Sequence, residues 1–205
     1  MFLSRVCGAC GAPGAIVCAS CSVRLQPAPD EGGPPGLDSC CSVLQYEGAG
    51  RDLVLGLKYR NRRAAVVPLA AAMAALMGST PFDAVTWAPT SPRRRRHRGF
   101  DQAQVLARGV SRELATPCRG LLWRHSGGPQ TGRDRHDRCQ GPTFGARGRF
   151  VGRVLVVDDV ITTGATLTAA AVALRAAGAT AVYGVTAAST PLKVTRPSAD
   201  KSASH

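Results

Sequence analysis

Residues 154–167 read Val-Leu-Val-Val-Asp-Asp-Val-Ile-Thr-Thr-Gly-Ala-Thr-Leu. Four consecutive apolar residues, 154–157, suit a strand buried on both faces, the pattern of a parallel sheet. Two carboxylates, Asp158 and Asp159, stand at its carboxyl end. A Thr-Thr-Gly turn then opens an alanine-rich helix, expected over residues 164–177 and closed by Gly178. The rest of the chain repeats the alternation. Strands are expected at 41–46, 82–87, 121–123 and 181–185, and helices at 49–60, 64–77 and 100–114. Alternating strands and helices imply an α/β fold with a doubly wound parallel sheet, whose ligands bind beyond the carboxyl ends of the strands.

The turn at 160–166 has the chemistry of a small anion site. Backbone N–H groups at a helix start point outward and bind phosphate oxygens. Gly164 allows close approach, and Thr162, Thr163 and Thr166 add hydroxyl donors. Val160, Ile161 and Ala165 complete the loop. Asp158 and Asp159 would repel a phosphate but accept hydrogen bonds from two neighbouring hydroxyls. Phosphate on one side and a diol on the other describe a ribose 5-phosphate. Two acids at a strand end also suit a receiver-like metal site. The full string is more specific than the acids alone.

The N-terminus carries a second chemistry. Cys7 and Cys10 form one C-x2-C pair, Cys18 and Cys21 another, with seven residues between them. Each pair supplies two thiolates from one tight turn, and four complete the tetrahedron of a structural Zn²⁺. Gly8 and Gly11 suit such turns. Disulfides or a redox pair are the alternatives. A segment this small has no core of its own, so metal binding is expected to supply its folding energy. Cys40, Cys41, Cys118 and Cys139 lack the spacing and read as packing residues.

The organisation expected is a zinc ribbon-like module at 1–25, a linker at 26–39, an α/β domain at 40–190 and a disordered tail at 191–205. The linker segment holds four prolines, three glycines and three acids. Residues 124–149 are polar and aperiodic and read as a flap. Trp123 is assigned to the core. The longest apolar stretch, 64–77, has 14 residues and contains Pro68, too short to span a membrane. No leader pattern is visible, so a cytoplasmic location is expected.

Charge is the remaining signal. The 205 residues hold 26 Lys+Arg and 13 Asp+Glu, a net +13, and Lys58, Lys193 and Lys201 are the only lysines. Residues 93–153 contain fifteen arginines and four acids, which places +11 of the +13 in that window. A polyphosphate needs two or three such groups. The surplus, densest at Arg93, Arg94, Arg95 and Arg96 in what reads as a loop, favours a longer anion such as single-stranded DNA. Phe100 and Trp123 are candidate stacking faces. An arginine-biased solvated loop is the alternative.

The 154–167 run resembles the phosphoribosyl pyrophosphate (PRPP) signature of type I phosphoribosyltransferases. The four-cysteine module, Tyr46-Glu47-Gly48, Leu57-Lys58-Tyr59, Arg98-Gly99-Phe100-Asp101-Gln102-Ala103, and Gln130 with Arg138 narrow the resemblance to the ComF family, competence protein F-like proteins. The resemblance implies a phosphoribosyltransferase fold in which Asp158 and Asp159 bind ribose and residues 160–166 hold the 5-phosphate. It implies Mg²⁺ beside PRPP, a pyrophosphate loop at Pro89 and Thr90, Arg98 near the pyrophosphate, and Gln130 and Arg138 on a mobile flap. Asp101 stands where the family usually has Asn. The implied role is DNA uptake or processing, with a competence helicase or uptake machinery as partner. Transfer of phosphoribosyl to a base or amine in nucleotide salvage is the alternative.

Overall fold

The computed structural model describes residues 6–30, 32–60, 62–125 and 141–190. Gln130, Arg138, Cys139 and the tail therefore lie outside the described residues. Four parallel strands form one sheet in the order β1-β6-β5-β2. They are β1 (Ser39–Gln45), β2 (Ala84–Trp87), β5 (Gly152–Ile161) and β6 (Ala179–Ser189). A separate antiparallel pair joins β3 (Leu122–Arg124) to β4 (Phe144–Ala146).

Helices cover both faces, as a doubly wound sheet requires. On one face lie α2 (Gly48–Tyr59), α3 (Val66–Leu76) and α5 (Gln102–Glu113); a single 3₁₀ turn, Arg63–Ala65, leads into α3. On the other lie α6 (Ala165–Ala176) and the β3–β4 pair. Strand β5 shows why both faces need cover. Leu155 and Val157 enter the core under α2, α3 and α5, whereas Val154 and Val156 enter the core under α6. All four are fully buried. The chain leaves β2 toward α5 on one face and leaves β5 toward α6 on the other. The cleft between the carboxyl ends of β2 and β5 is thus the switch point where ligands bind in such sheets.

Four expectations need correction. Strand β5 does not end at Val157. Its pairing with β6 continues through Asp158↔Thr186 to Ile161↔Ser189, so both carboxylates belong to a hydrogen-bonded strand. The arginine run is not a loop but helix α4 (Pro92–Arg98). Ser91 caps it by accepting the Arg94 N–H at 3.3 Å, Pro92 occupies the first turn, and Gly99 closes it in the left-handed conformation. The polar stretch 124–149 is not wholly irregular, because β4 pairs with β3 there. Trp123 is not a core residue. It is 39% exposed and lies against His125, ring centroids 3.9 Å apart.

The proline-rich segment 26–39 follows the edge of β1. Ala28 donates to Val43 O and Gln45 to Gln26 O, at 3.1 and 2.8 Å. The cysteine segment, which includes the short helix α1 (Ala19–Ser22), shares the main core. Cys7, Ala9 and Cys21 are buried in the same cluster as Leu53, Leu57 and Met73.

Candidate functional site

The four N-terminal sulfurs lie within 4.8 Å of one another. A tetrahedral Zn²⁺ with bonds of about 2.3 Å holds its thiolates about 3.8 Å apart. The Sγ atoms of Cys10 and Cys18 are separated by 3.7 Å. The amide of Cys18 points at Cys7 Sγ and that of Ala12 at Cys10 Sγ, both at 3.5 Å. Burial pushes Cys7 up, but the amides of Cys18, Cys10 and Ala9 outweigh it and bring its pKa down to about 6. Cys21 is pushed up to about 11 by burial and the neighbouring thiols. Four sulfurs this close can share one cation, so the donor set fits a structural zinc. The two glycines serve different ends. Gly11 has φ +86°, whereas Gly8 is needed for packing, since a Cβ there would meet Leu53 Cδ1 at 2.5 Å. By contrast burial raises the Cys40 thiol to about 12, which keeps it an inert packing group.

The second site is a cleft of about 340 Å³ at the switch point. Its floor is Asp158 and Asp159. Alternation along β5 sends them to opposite faces of the strand. Asp159 turns toward α2, where Lys58 Nζ lies 3.0 Å from its Oδ1. The Asp159 N–H donates to Asp158 Oδ1 at 2.8 Å. Burial, and then the charge of Asp159, hold the Asp158 carboxyl well above the usual carboxylate range.

One end of the floor is the turn to α6. Thr162 and Thr166 line the cleft. Thr168 is the first residue to donate back into the helix, to Gly164 O, leaving the amides of the first turn for other acceptors. Gly164 is required for another reason than close approach to an anion. Its φ is +76°, and a Cβ would meet Pro34 at 2.5 Å. The proline-rich segment thus braces the turn from behind. Val160, Ile161, Thr163 and Ala165 are brought to the same turn, with Ile161 and Thr163 facing a second cavity of about 300 Å³ along β1.

The other end is an arginine wall. Arg94 and Arg98, one helical turn apart on α4, line it together with Arg124 of β3. Arg93, Arg95 and Arg96 are exposed outside the cleft. Burial and the facing charge of Arg94 lower the Arg124 pKa, and Asp158 and Asp101 oppose them. Three guanidinium groups around one space favour an anion there. Pro89 and Thr90 follow β2 and are pinned from two sides. Arg124 donates to Pro89 O at 3.4 Å, and Asp101 Oδ2 accepts the Thr90 N–H at 2.9 Å. Asp101 also caps α5 through the Gln104 amide. Its carboxyl is raised by burial, against the amides it accepts from.

Beside it, the buried Gln102 accepts Arg98 at 2.8 Å through Oε1, while its Nε2 has no partner. Gln102, Asp101, Lys58 and Arg124 were not singled out as site residues from sequence. Lys58 and Asp101 are separated by more than forty residues, and only the sheet brings their helices together. The available signal was the motif pair Leu57-Lys58-Tyr59 and Arg98-Gly99-Phe100-Asp101-Gln102, which holds three of the four; Arg124 had none. Gln130 and Arg138 are outside the described residues.

No family model matches the chain, and no curated protein does. Solved structures similar to it include the allosteric regulatory enzyme of purine biosynthesis, at 23% identity over 61% of this chain and 26% of that one, TM-score 0.43. Another is glutamine PRPP amidotransferase from B. subtilis complexed with ADP and GMP, at 25% identity over 61% and 26%, TM-score 0.43. A third is the purine phosphoribosyltransferase from Pyrococcus horikoshii Ot3, at 19% identity over 65% and 78%, TM-score 0.44. The matched part spans about a quarter of the first two. What the chain itself shows is a parallel-sheet α/β fold with a four-cysteine cluster that fits a zinc module.

Proposed function

We propose that this protein is a phosphoribosyltransferase-like protein that binds PRPP or a similar ribose phosphate in the cleft between β2 and β5. One observation carries the reading. The two carboxylates of β5, the hydroxyls of Thr162 and Thr166 at the start of α6, and three arginines all line one cleft. A ligand matching that set has a phosphate, a diol and a second phosphate-rich group. The amides of Thr166 and Leu167 and the hydroxyls of Thr162 and Thr166 would take the 5-phosphate, with the Ala165 N–H, which donates to Thr163 Oγ1 at 3.4 Å, beside them. Asp158 and Asp159 would accept the ribose hydroxyls. Arg94, Arg98 and Arg124, with the pinned Pro89–Thr90 loop, would hold the pyrophosphate.

The floor also fits Mg²⁺. A cationic group, Lys58 Nζ, already stands 3.0 Å from Asp159, and the donors are hard carboxylate oxygens. Asp158 and Asp159 would hold the ion, which would neutralise polyphosphate charge. Within the described residues, no helix is long and apolar enough to cross a membrane.

The resemblance to the ComF family adds the cellular role: DNA uptake or processing in the cytoplasm, alongside a competence helicase or uptake machinery. The exposed Arg93, Arg95 and Arg96 support contact with single-stranded DNA, since they are not among the residues lining the cleft and have no acid paired with them among the described residues. The second reading, phosphoribosyl transfer in nucleotide salvage, is favoured by the arginine wall. Its guanidinium groups would stabilise a leaving pyrophosphate as the anomeric carbon becomes oxocarbenium-like.

The test is calorimetric titration of PRPP with Mg²⁺, and of an oligonucleotide, into the wild type and Asp158→Asn/Asp159→Asn. The double variant should lose PRPP binding and keep oligonucleotide binding. Unchanged PRPP affinity would remove the ribose assignment.

A further inference from the structure

Next to the cleft is a smaller cavity, about 220 Å³, which the phosphate and diol assignments leave unused. It is lined by Lys58, Tyr59, Arg63, His97, Arg98 and Phe100. Among the described residues, no carboxylate borders it. Two of its residues, Lys58 and Arg98, also line the cleft, so the two spaces share a wall. Two cation–aromatic pairs build its rim. The Arg63 guanidinium lies 4.3 Å from the Phe100 ring centroid, and that of Arg98 lies 4.8 Å from the Tyr59 centroid. Arg98 is locked by two further bonds, to Tyr59 Oη at 2.9 Å and to Gln102 Oε1 at 2.8 Å. Tyr59 is nevertheless 59% exposed. A large aromatic face left in solvent, yet fixed by a bonded guanidinium, is a surface prepared for a planar partner at little entropic cost.

We propose that this cavity is a base-stacking subsite that takes one nucleobase against Tyr59 and Phe100 and their arginine partners. Three observations set the ligand class. Aromatic rings and guanidinium planes both stack on the π-face of any base. The four cationic or imidazole side chains, Lys58, Arg63, His97 and Arg98, favour a ring that carries carbonyl oxygens and belongs to a phosphate-bearing molecule. The volume suits a base and not a whole nucleotide, since pockets for drug-sized ligands start near 300 Å³. The base belongs either to a mononucleotide or to a single strand. Helix α4 favours the strand, because it presents Arg93, Arg95 and Arg96 to solvent and carries His97 and Arg98 into the cavity. A sugar–phosphate backbone following the exposed arginines would pass the cavity mouth. The strand as source rests on the nucleic-acid reading above; the subsite itself does not.

The experiment compares four ligands against wild type, Tyr59→Phe and Tyr59→Ala. They are a thymidine oligomer, an abasic oligomer of equal length and charge, uridine 5′-monophosphate and ribose 5-phosphate. Stacking predicts that the thymidine oligomer binds about tenfold more tightly than the abasic one. Tyr59→Ala should abolish that ratio without changing the salt slope, and Tyr59→Phe should keep it, because the ring and not the hydroxyl is needed. A base-dependent ratio for the monophosphate over ribose 5-phosphate, lost in Tyr59→Ala, supports the subsite with a mononucleotide as its ligand. Equal binding of thymidine and abasic oligomers together with equal binding of the two monophosphates overturns it. So does a ratio that survives Tyr59→Ala. PRPP titration of the wild type, run alongside, reads the cleft independently.

Discussion

The four-cysteine cluster and the cleft are both polar sites, and they are built in opposite ways. The cluster draws all its donors from residues 7–21, and two tight turns suffice to bring the sulfurs within 4.8 Å. The cleft draws on α2, the loop after β2, α4, the start of α5, β3, β5 and the start of α6. None of those segments makes a site alone. A local site tolerates change elsewhere in the chain, whereas an assembled site depends on the sheet that places its parts. Yet the two are joined through one helix. The turn at Gly8 packs on Leu53, Arg62 reaches the carbonyls of Gly8 and Ala9, and a Cβ on Gly56 would collide with the Gly8 carbonyl. Two residues after Gly56, the same helix delivers Lys58 to Asp159.

That joint is where the contrast can be broken. The largest effect is expected from the cluster. Cys7→Ser/Cys18→Ser should lose about one zinc per chain and more than about 3 kcal/mol of stability, because Cys7 and Cys21 sit in the main core. Metal analysis and urea unfolding check this. Zinc retained in the variant would exclude the ligand set. If the sites are coupled through α2, PRPP affinity should fall too; unchanged affinity in the folded variant would make the module independent.

A smaller effect is expected at Lys58. The Lys58–Asp159 pair is well sheltered, with side-chain exposures of 13% and 16%. Lys58→Met should cost about 2 kcal/mol, between the values for exposed and buried pairs, and Lys58→Arg less. Denaturant unfolding of both variants measures it, and equal stability would mean that the pair is only a surface contact.

The smallest effect concerns Asp101 and has a definite sign. Its folded-state pKa is raised by burial. A raised acid binds its proton more tightly in the folded state, so its contribution is most favourable below the unfolded value and declines as pH rises through the folded one. Asp101→Asn should therefore be closest to wild type near pH 4 and relatively more stable at pH 7. Thermal unfolding across that range tests it. A variant less stable at pH 7 would show that the charged carboxylate's hold on the Thr90 and Gln104 amides outweighs its burial. Asp158, raised further by burial and by Asp159, should follow the same direction.

Much of the fold was legible because its signals are local. The apolar run 154–157, the Thr-Thr-Gly turn and the cysteine spacing each depend on neighbours within a few residues. Errors arose where a local signal was overridden. Strand β5 outlasts its apolar run because β6 lies beside it with matching backbone groups as far as Ser189. Helix α4 forms although it is five-sevenths arginine, since Ser91, Pro92 and Gly99 supply its start and stop. Those cap residues were readable and were outweighed by the charge. Trp123 was placed in the core for its size, but it lies on a short two-stranded pair that has one open side.

From sequence alone, the chain's chemical inventory was determined: two C-x2-C pairs, two adjacent carboxylates before a Thr-Thr-Gly turn, and a surplus of arginine. These follow from residue type and spacing, which covalent connectivity sets. Tertiary structure decided which arginines border the cleft. Of the arginines of α4, Arg94 and Arg98, four apart and so on one face of the helix, line the cleft, and Arg93, Arg95 and Arg96 are exposed to solvent. It also decided that Lys58 faces Asp159, that Asp101 holds the Thr90 loop, and that Tyr59 and Phe100 border one cavity. Such pairings depend on how helices dock across a sheet, and no spacing along the chain encodes that.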